Sequence, residues 1–558
     1  MKNNIYKLLR YPFIILIVIS VVSCDFLDEN PESFRTSENF FKDSVSLKTG
    51  VNGLYQSLKT MYSAYEPAIG ELGTDEAIGQ DVQTQFSALS AYKLSSTDQW
   101  FISPYYNRNY YLITRANTII ERGLLLPQTK EIQRLIAESR FMRAIGYFRL
   151  VQFFGPVPLV TTEVAEVDYS LPRAPLSEIY KQIVEDLTLA SAESVLPNVS
   201  TTNEPQRVSR YAVKALLGKV YLTMGTSKEA GVIDRVLGSV GKADLSYGAI
   251  TESPNEFYLK AKTVLAEIKE SKLFTLENKY GNVFLVDKQN KLSENMWELQ
   301  FAVGDGTGSY FLKVYGMKTN TTSAESKVLT NGCGLTQIYY PYSLYSSYKA
   351  GDTRRDWNLT ARRYDVSVNK TISFKPSDGP TNKSVQSWMA IVKYRFNNTD
   401  SLYTPISFTD RYNLPMNIKM IRYADVLLML AEAELRYNNG SANQLAVDAM
   451  NEIRNRARGF DISGKPISET LTPEFTNFTI SNLTIDGIME ERKLELCFEG
   501  QRWFDLVRTG KLIEKYNEPQ LSVEFKQAII TENYYLNPLP QDQLDLSTNP
   551  TGFFQNPR

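Results

Sequence analysis

At 558 residues, with 43% hydrophobic and 22% charged residues, the chain has an ordinary globular makeup and room for two or three domains' worth of core. Its formal net charge is −1 and its basic residues are dispersed, which excludes the electrostatic footprint of a nucleic-acid binder. It has no histidine, which excludes Ser-His-Asp and Cys-His nucleophilic systems and every His-ligated metal site, leaving carboxylate, Lys or Tyr chemistry for any catalysis.

The chain opens with Lys2, Lys7 and Arg10 and no acidic residue, then an apolar run over 13–22, then Ser23. A basic start, a short apolar core and a small residue before the cut read as a secretory signal. The run is too short to span a bilayer as a stable helix, and no later apolar run reaches the required length of about 18 residues. Val21-Val22-Ser23-Cys24 resembles the lipobox of bacterial lipoproteins, in which the thiol is lipidated and becomes the mature N-terminus. The alternative is a plain signal peptide with an incidental cysteine. Each buried methylene contributes about 0.8 kcal/mol, so two or more acyl chains hold a protein at a membrane where one does not. The mature chain is therefore expected at a membrane surface, not through it.

Residues 25–31 form a short acidic tether. Over 136–154, Ala137, Phe141, Ala144, Phe148 and Val151 recur at intervals of four and three, the apolar stripe of a helix. Gly155 and Pro156 end it, and Pro158 keeps 157–160 extended. Ile179, Ile183, Leu187 and Ala190 make a second stripe, with Ser177 the expected N-cap and Glu178 suited to the positive helix end. A helix over 210–224 follows, and its Leu217-Gly218-x-x-Tyr221 resembles the first-helix signature of a tetratricopeptide repeat.

The middle changes character. Residues 226–255 and 303–338 are rich in Gly, Ser, Thr and Asn and are predicted to be long loops, with a short strand at 296–301 between them. Helices resume at 421–437, apolar almost all round and so buried, and at 442–458, with Asn438-Asn439-Gly440 as the turn. A last helical pair covers 488–498 and 502–507, stopped by Gly510, and the Pro-containing stretch from 537 is extended or irregular. The predicted fold is mainly α: a tetratricopeptide-like helical-hairpin scaffold, curved as a solenoid, with long loop-rich insertions and a few short strands. Beyond Cys24 only Cys333 and Cys497 remain, without metal-ligand spacing. They could pair in an oxidising compartment, though two isolated thiols are more often buried and inert.

Three motifs carry a family resemblance. Arg143-Ala144-Ile145-Gly146-Tyr147-Phe148-Arg149-Leu150-Val151-Gln152-Phe153-Phe154-Gly155-Pro156-Val157-Pro158-Leu159-Val160 is the first. Ile421-Arg422-Tyr423-Ala424-Asp425-Val426-Leu427-Leu428-Met429-Leu430-Ala431-Glu432-Ala433 is the second. Glu491-Arg492, Glu495-Leu496 and Phe498-Glu499-Gly500-Gln501-Arg502-Trp503-Phe504-Asp505-Leu506-Val507-Arg508 form the third, and Asn537-Pro538-Leu539-Pro540 with Gln555-Asn556-Pro557 closes the chain. In this order, behind a lipobox-like start, they resemble the SusD/RagB family. The resemblance implies a leader over 1–23, a helical N-terminal domain over 24–230, and a C-terminal domain over 231–558 whose loop-rich insertion covers about 275–415. It also implies an outward-facing outer-membrane lipoprotein of Bacteroidetes-type bacteria that caps a SusC-type TonB-dependent transporter. Such a protein hands over oligosaccharides, or peptides in some members, without catalysis, cofactor or metal.

Phe141, Tyr147, Phe148, Leu427 and Trp503 are expected in the core. Arg492, Glu495, Glu499, Arg502, Asp505 and Arg508 invite a reading as paired catalytic carboxylates, which would make the chain a surface glycosidase. Structural ion pairing is preferred, because neighbouring Arg lowers a carboxylate's pKa, the wrong direction for a general acid. The 34 Tyr and 27 Phe instead suggest binding faces. A sugar offers an apolar face for stacking and a hydroxyl edge for hydrogen bonds. On that basis the candidate ligand contacts are Tyr65, Asp75, Gln99, Trp100, Tyr310, Tyr339 and Trp388, each of which could equally anchor its own loop. Tyr345 and Tyr348 are expected on a helix, packed inward.

Overall fold

Helix-forming stripes and good caps account for most of the architecture. The computed structural model describes residues 37–63, 66–80, 84–164, 166–302, 314–315, 336–365, 370–386, 388–394, 415–459, 475–518 and 530–558. Cys24 and Cys333, and the candidates Tyr65 and Tyr310, lie outside the described residues.

The principal helices are α1 (Ser44–Ser63), α2 (Ile102–Leu124), α3 (Lys130–Phe154), α4 (Leu176–Ala190), α5 (Arg210–Ala230) and α6 (Pro254–Glu270). They continue with α7 (Tyr423–Tyr437), α8 (Gln444–Ala457), α9 (Ile485–Leu496), α10 (Arg502–Arg508) and α11 (Gln541–Leu546). Successive helices from α2 to α8 pack each on the next, as helical hairpins in a stack do. Thr129 caps α3 by accepting from the Ile132 N–H, and Gly155, at φ +74°, ends it as the sequence predicts. Gly218 of α5 has a packing reason: a Cβ there would stand 2.7 Å from Leu265 of α6. The resemblance to a tetratricopeptide signature thus coincides with a close helix crossing.

Two expectations need correcting. Ser177 does not cap α4; the helix begins at Leu176 behind Pro175, whose fixed φ suits a helix entry, and no side chain caps it. Residues 226–255 are not a long loop. Helix α5 runs on to Ala230, a short helix spans Val232–Gly238, and two 3₁₀ turns precede α6. Thr226 there is buried, and its hydroxyl donates to the Leu222 carbonyl at 2.9 Å, so polar composition does not break the helix. A Ser253–Glu256 capping box with Pro254 at the first turn then starts α6.

The strands, among the described residues, form three two-stranded antiparallel pairs. They are β1 (Ile78–Gly79), β2 (Asn295–Leu299), β3 (Ile338–Tyr339), β4 (Arg362–Asp365), β5 (Lys370–Ser373) and β6 (Ile418–Arg422), paired β1–β3, β2–β6 and β4–β5. The predicted strand at 296–301 is β2. Its Trp297 is buried against Phe141 at 5.1 Å between ring centroids, and the indole N–H donates to the Gln206 carbonyl at 3.0 Å. Phe141, Tyr147, Phe148, Leu427 and Trp503 are all buried, as expected, and so is Tyr348 beside the short helix Tyr342–Ser347 that carries Tyr345.

Buried ion pairs lock the closing helices. Arg422 bonds Glu499, Glu294 and Glu495; Arg456 joins Glu294 and Glu495; Arg508 holds Glu432 and Asp505; Arg492 holds Asp425 and Asp505. Burial opposes the charge on Glu495, yet Arg456, Arg422 and Arg354 outweigh it and hold its pKa at about 2. Burial likewise opposes the charge on Asp505, but Arg492 and Arg508 hold its pKa low, so both carboxylates are ionised partners in ion pairs.

Candidate functional site

A cleft lies along one face of α2. Its volume is about 650 Å³, within the range of small-ligand sites. One wall is α2, through Tyr106, Asn107, Tyr110, Tyr111 and Thr114; the other is made by residues 158–164 and 166–171, beyond the Gly155-Pro156 stop. Gln543 of α11, Ser547 and Phe553 close one side.

This second wall is pinned from behind by buried polar side chains. The Tyr110 hydroxyl donates to the Pro158 carbonyl at 2.6 Å, and the Tyr147 hydroxyl to the Val160 carbonyl at 2.7 Å. Asn117 Nδ2 donates to the carbonyls of Val160 and Thr162, and Arg143 Nη1 to that of Thr161 at 2.8 Å. Arg143 is itself fixed by Asp186 through contacts of 2.7 and 2.8 Å. Arg122 holds Glu163 at 2.7 Å. Anchored carbonyls over 158–162 reduce the backbone ordering that binding there would cost.

Two tyrosine rings face outward across the cleft: Tyr111 is 51% exposed and Tyr169 is 43% exposed. Tyr106 and Tyr110 pack beneath, with ring centroids 4.7 Å apart. Asn107, Thr114, Thr162, Gln543 and Ser547 supply polar edges. Exposed rings bordered by hydroxyl and amide groups suit a ligand with apolar faces and polar rims.

Asp98 Oδ1 accepts from the backbone N–H groups of Trp100, Phe101 and Ile102 at 3.1, 2.6 and 3.0 Å, placing a carboxylate at the positive helix end. Trp100 stands 50% exposed, and Gln99 beside it is exposed. Ser96 bonds Gln541 at 2.9 Å, so α11 braces this turn while lending Gln543 to the cleft. Trp100 precedes Tyr111 by eleven residues, roughly 16 Å along a helix axis.

The remaining candidates are placed differently. Asp75 is interior, bonded to Arg502 at 2.7 and 2.8 Å with Lys493 at 3.7 Å. Tyr339 is buried in β3, and its hydroxyl accepts from Gln386 Nε2 at 2.6 Å. Trp388 is half-buried, edge-on to Phe374 at 5.9 Å. Gln99 and Trp100 thus stand exposed just before α2, outside the lining of the cleft, while Asp75 and Tyr339 lie inside. Sequence reading did not single out Tyr111 and Tyr169. For Tyr111 a signal existed: Asn107, Tyr111 and Arg115 share one helical face, opposite Tyr105, Asn109 and Leu112.

Two further carboxylates are unusual. Burial pushes Glu71 up to about 8, against opposing hydrogen bonds from Tyr315 and the Gly500 N–H, and burial raises Glu76 as well. Both are enclosed in the core, with no opening to a substrate. The Cys497 thiol is buried and pushed up to about 12 by that burial. Among the described residues no cluster of Cys, Asp and Glu could hold a metal ion, and no helix is long and apolar enough to cross a membrane.

Comparison with known proteins adds the following. Residues 294–558 match the SusD family, and residues 25–222 match a family described as starch-binding and associating with the outer membrane. The chain is 26% identical over 570 residues to SusD-like protein P2 of Formosa agariphila, covering 97% of this chain and 98% of that one. In structure it resembles a laminarin-binding SusD-like protein (TM-score 0.67, 22% identity, 92% of this chain and 99% of that one). It also resembles a SusD homolog of Bacteroides thetaiotaomicron (TM-score 0.70, 21% identity, 94% of this chain and 99% of that one).

Proposed function

The chain belongs to the SusD/RagB family, and from that premise we propose that it is a glycan-binding lipoprotein of the outer membrane without catalytic activity. In this reading an acylated Cys24 holds the protein on the cell exterior, where it captures oligosaccharides and passes them to a SusC-type TonB-dependent transporter. The observation that carries the binding role is the α2 cleft, where Tyr111 of α2 and Tyr169 of the facing side are exposed, and where Tyr110, Asn117, Arg143 and Tyr147 hold the carbonyls of 158–162. Gln99 and Trp100, exposed just before α2, are proposed as further contacts. The naming of one structural relative as laminarin-binding, and of one matching family as starch-binding, supports a glycan as the ligand.

Binding without bond cleavage agrees with the electrostatics. Glu71 and Glu76, whose pKa values burial raises, are enclosed in the core, and Glu432 and Glu495, buried but beside Arg, are held at about 2. Native electrophoresis in gels containing polysaccharides, with a parallel assay for released reducing ends, tests the proposal. Retardation without product is expected, and replacing Tyr111 or Tyr169 by Ala should weaken it about 3–10-fold each, the contribution of one stacking ring. Release of reducing ends would make the protein a glycosidase. Failure of every glycan to retard it would favour a peptide ligand.

A further inference from the structure

Resting on the glycan reading above, we infer that the α2 cleft selects uncharged glycans and discriminates against uronate-bearing and sulfated ones. Among the described residues that line it, the charged ones are Glu163, Glu166 and Asp168, with no Lys or Arg. Glu163 is compensated by Arg122 at 2.7 Å. Glu166 and Asp168 are exposed on the segment that also presents Tyr169. The Asp168 carboxylate accepts from the N–H and hydroxyl of Ser170 at 2.8 and 2.6 Å, which lowers its pKa and keeps it ionised. On α2, Arg122 is taken up by Glu163, and the Arg115 guanidinium lies 3.8 Å over the Tyr111 ring, donating to the Tyr111 hydroxyl and to Ser57 of α1 at 3.2 Å, so both cations are already partnered.

Two physical consequences follow from this lining. Ionised carboxylates accept hydrogen bonds and donate none, so they need a ligand that brings donors. Sugar hydroxyls bring them, whereas sulfate and carboxylate oxygens bring only more acceptors. Unpaired like charges also repel, by an amount set by ionic strength: the Debye length is about 30 Å at 0.01 M salt and about 10 Å at 0.1 M. Repulsion from Glu166 and Asp168 is therefore strongest in dilute buffer and fades as salt rises.

The test uses the full mature chain in affinity gels. Starch, laminarin and galactomannan serve as neutral probes, and alginate and a carrageenan as the polyuronate and the sulfated galactan. At about 0.01 M salt at least one neutral polymer should retard the protein, with the two polyanions at least tenfold weaker. The double variant Glu166→Gln/Asp168→Asn should raise polyanion retention relative to neutral retention about tenfold in dilute buffer. Stronger retention of either polyanion than of any neutral polymer by the unmodified chain overturns the inference, as does a double variant whose polyanion retention relative to neutral retention is unchanged. Retention of no polymer overturns the glycan reading itself, and this inference with it.

Discussion

Arg422→Ala should be among the most damaging single substitutions outside the apolar core. The guanidinium is fully enclosed and makes contacts of 2.7 Å to both Glu499 oxygens, 2.8 Å to Glu294 and 3.1 Å to Glu495. Around it the buried cations are Arg354, Arg456 and Lys393, and the buried anions are Glu294, Glu491, Glu495, Glu499 and Asp352. Removing Arg422 takes a shared cation from Glu294, Glu495 and Glu499 and leaves the Glu499 carboxylate, among the described residues, with Lys393 as its remaining direct ion-pair partner. Orphaning a buried charge costs about 3–5 kcal/mol, chiefly because the partners stay desolvated and unpaired. Unfolding entropy of roughly 2.1 cal/mol/K per residue, over 558 residues, converts that cost to about 3–4 °C if the chain melts as one unit. Arg235→Ala is the control. It removes an equally short contact, 2.6 Å to Glu532, but the side chains are 55% and 42% exposed, so solvent screening leaves it nearly silent. Differential scanning calorimetry of both variants decides the matter. An Arg422→Ala melting temperature within 1 °C of the unmodified protein, or a loss no larger than that of Arg235→Ala, would refute the reasoning.

Other outcomes follow from the same structure. Glu71 keeps its proton in the folded chain up to about pH 8 but loses it near 4.5 when unfolded, so it makes stability fall as pH rises between those values. Glu71→Gln should flatten that slope and melt higher, relative to the unmodified protein, at pH 8 than at pH 5; identical slopes in thermal scans would contradict the assignment. Glu432 and Glu495, held at about 2, work the other way, and their contribution should be lost as pH falls from 4.5 toward 2. Gly218→Ala places a methyl 2.7 Å from Leu265 at the α5–α6 crossing and should cost about 1–3 kcal/mol by urea titration. Cys24→Ala should move the protein from the membrane fraction to the soluble fraction, and unchanged fractionation would remove the lipid anchor from the account.

Much of this fold can be read from residue order because its helices are amphipathic and well punctuated. The stripe through Phe141, Phe148 and Val151 gives α3, and Gly155-Pro156 gives its end. The prediction failed where composition was taken as structure: Thr226 and Ser227 lie in α5 because their hydroxyls and surroundings satisfy them inside a helix. The ion pairs of the closing helices were legible as a set, since a string such as Arg502, Asp505 and Arg508 puts opposite charges on one face. Their partners were not, because Asp75, Glu294 and Glu432 are far away in sequence. The site was the least legible part. Gln99 and Trp100 stand outside its lining, Tyr169 sits in an irregular segment, and nothing in the local pattern says that interior groups from α2 and α3 hold the carbonyls of 158–162.

Calorimetric titration of the purified mature chain with neutral oligosaccharides tests the central claim most directly. The account predicts saturable binding without hydrolysis and a loss of at least tenfold in affinity for the double variant Tyr111→Ala/Tyr169→Ala. Full affinity in that variant, or cleavage of the titrant, would contradict it.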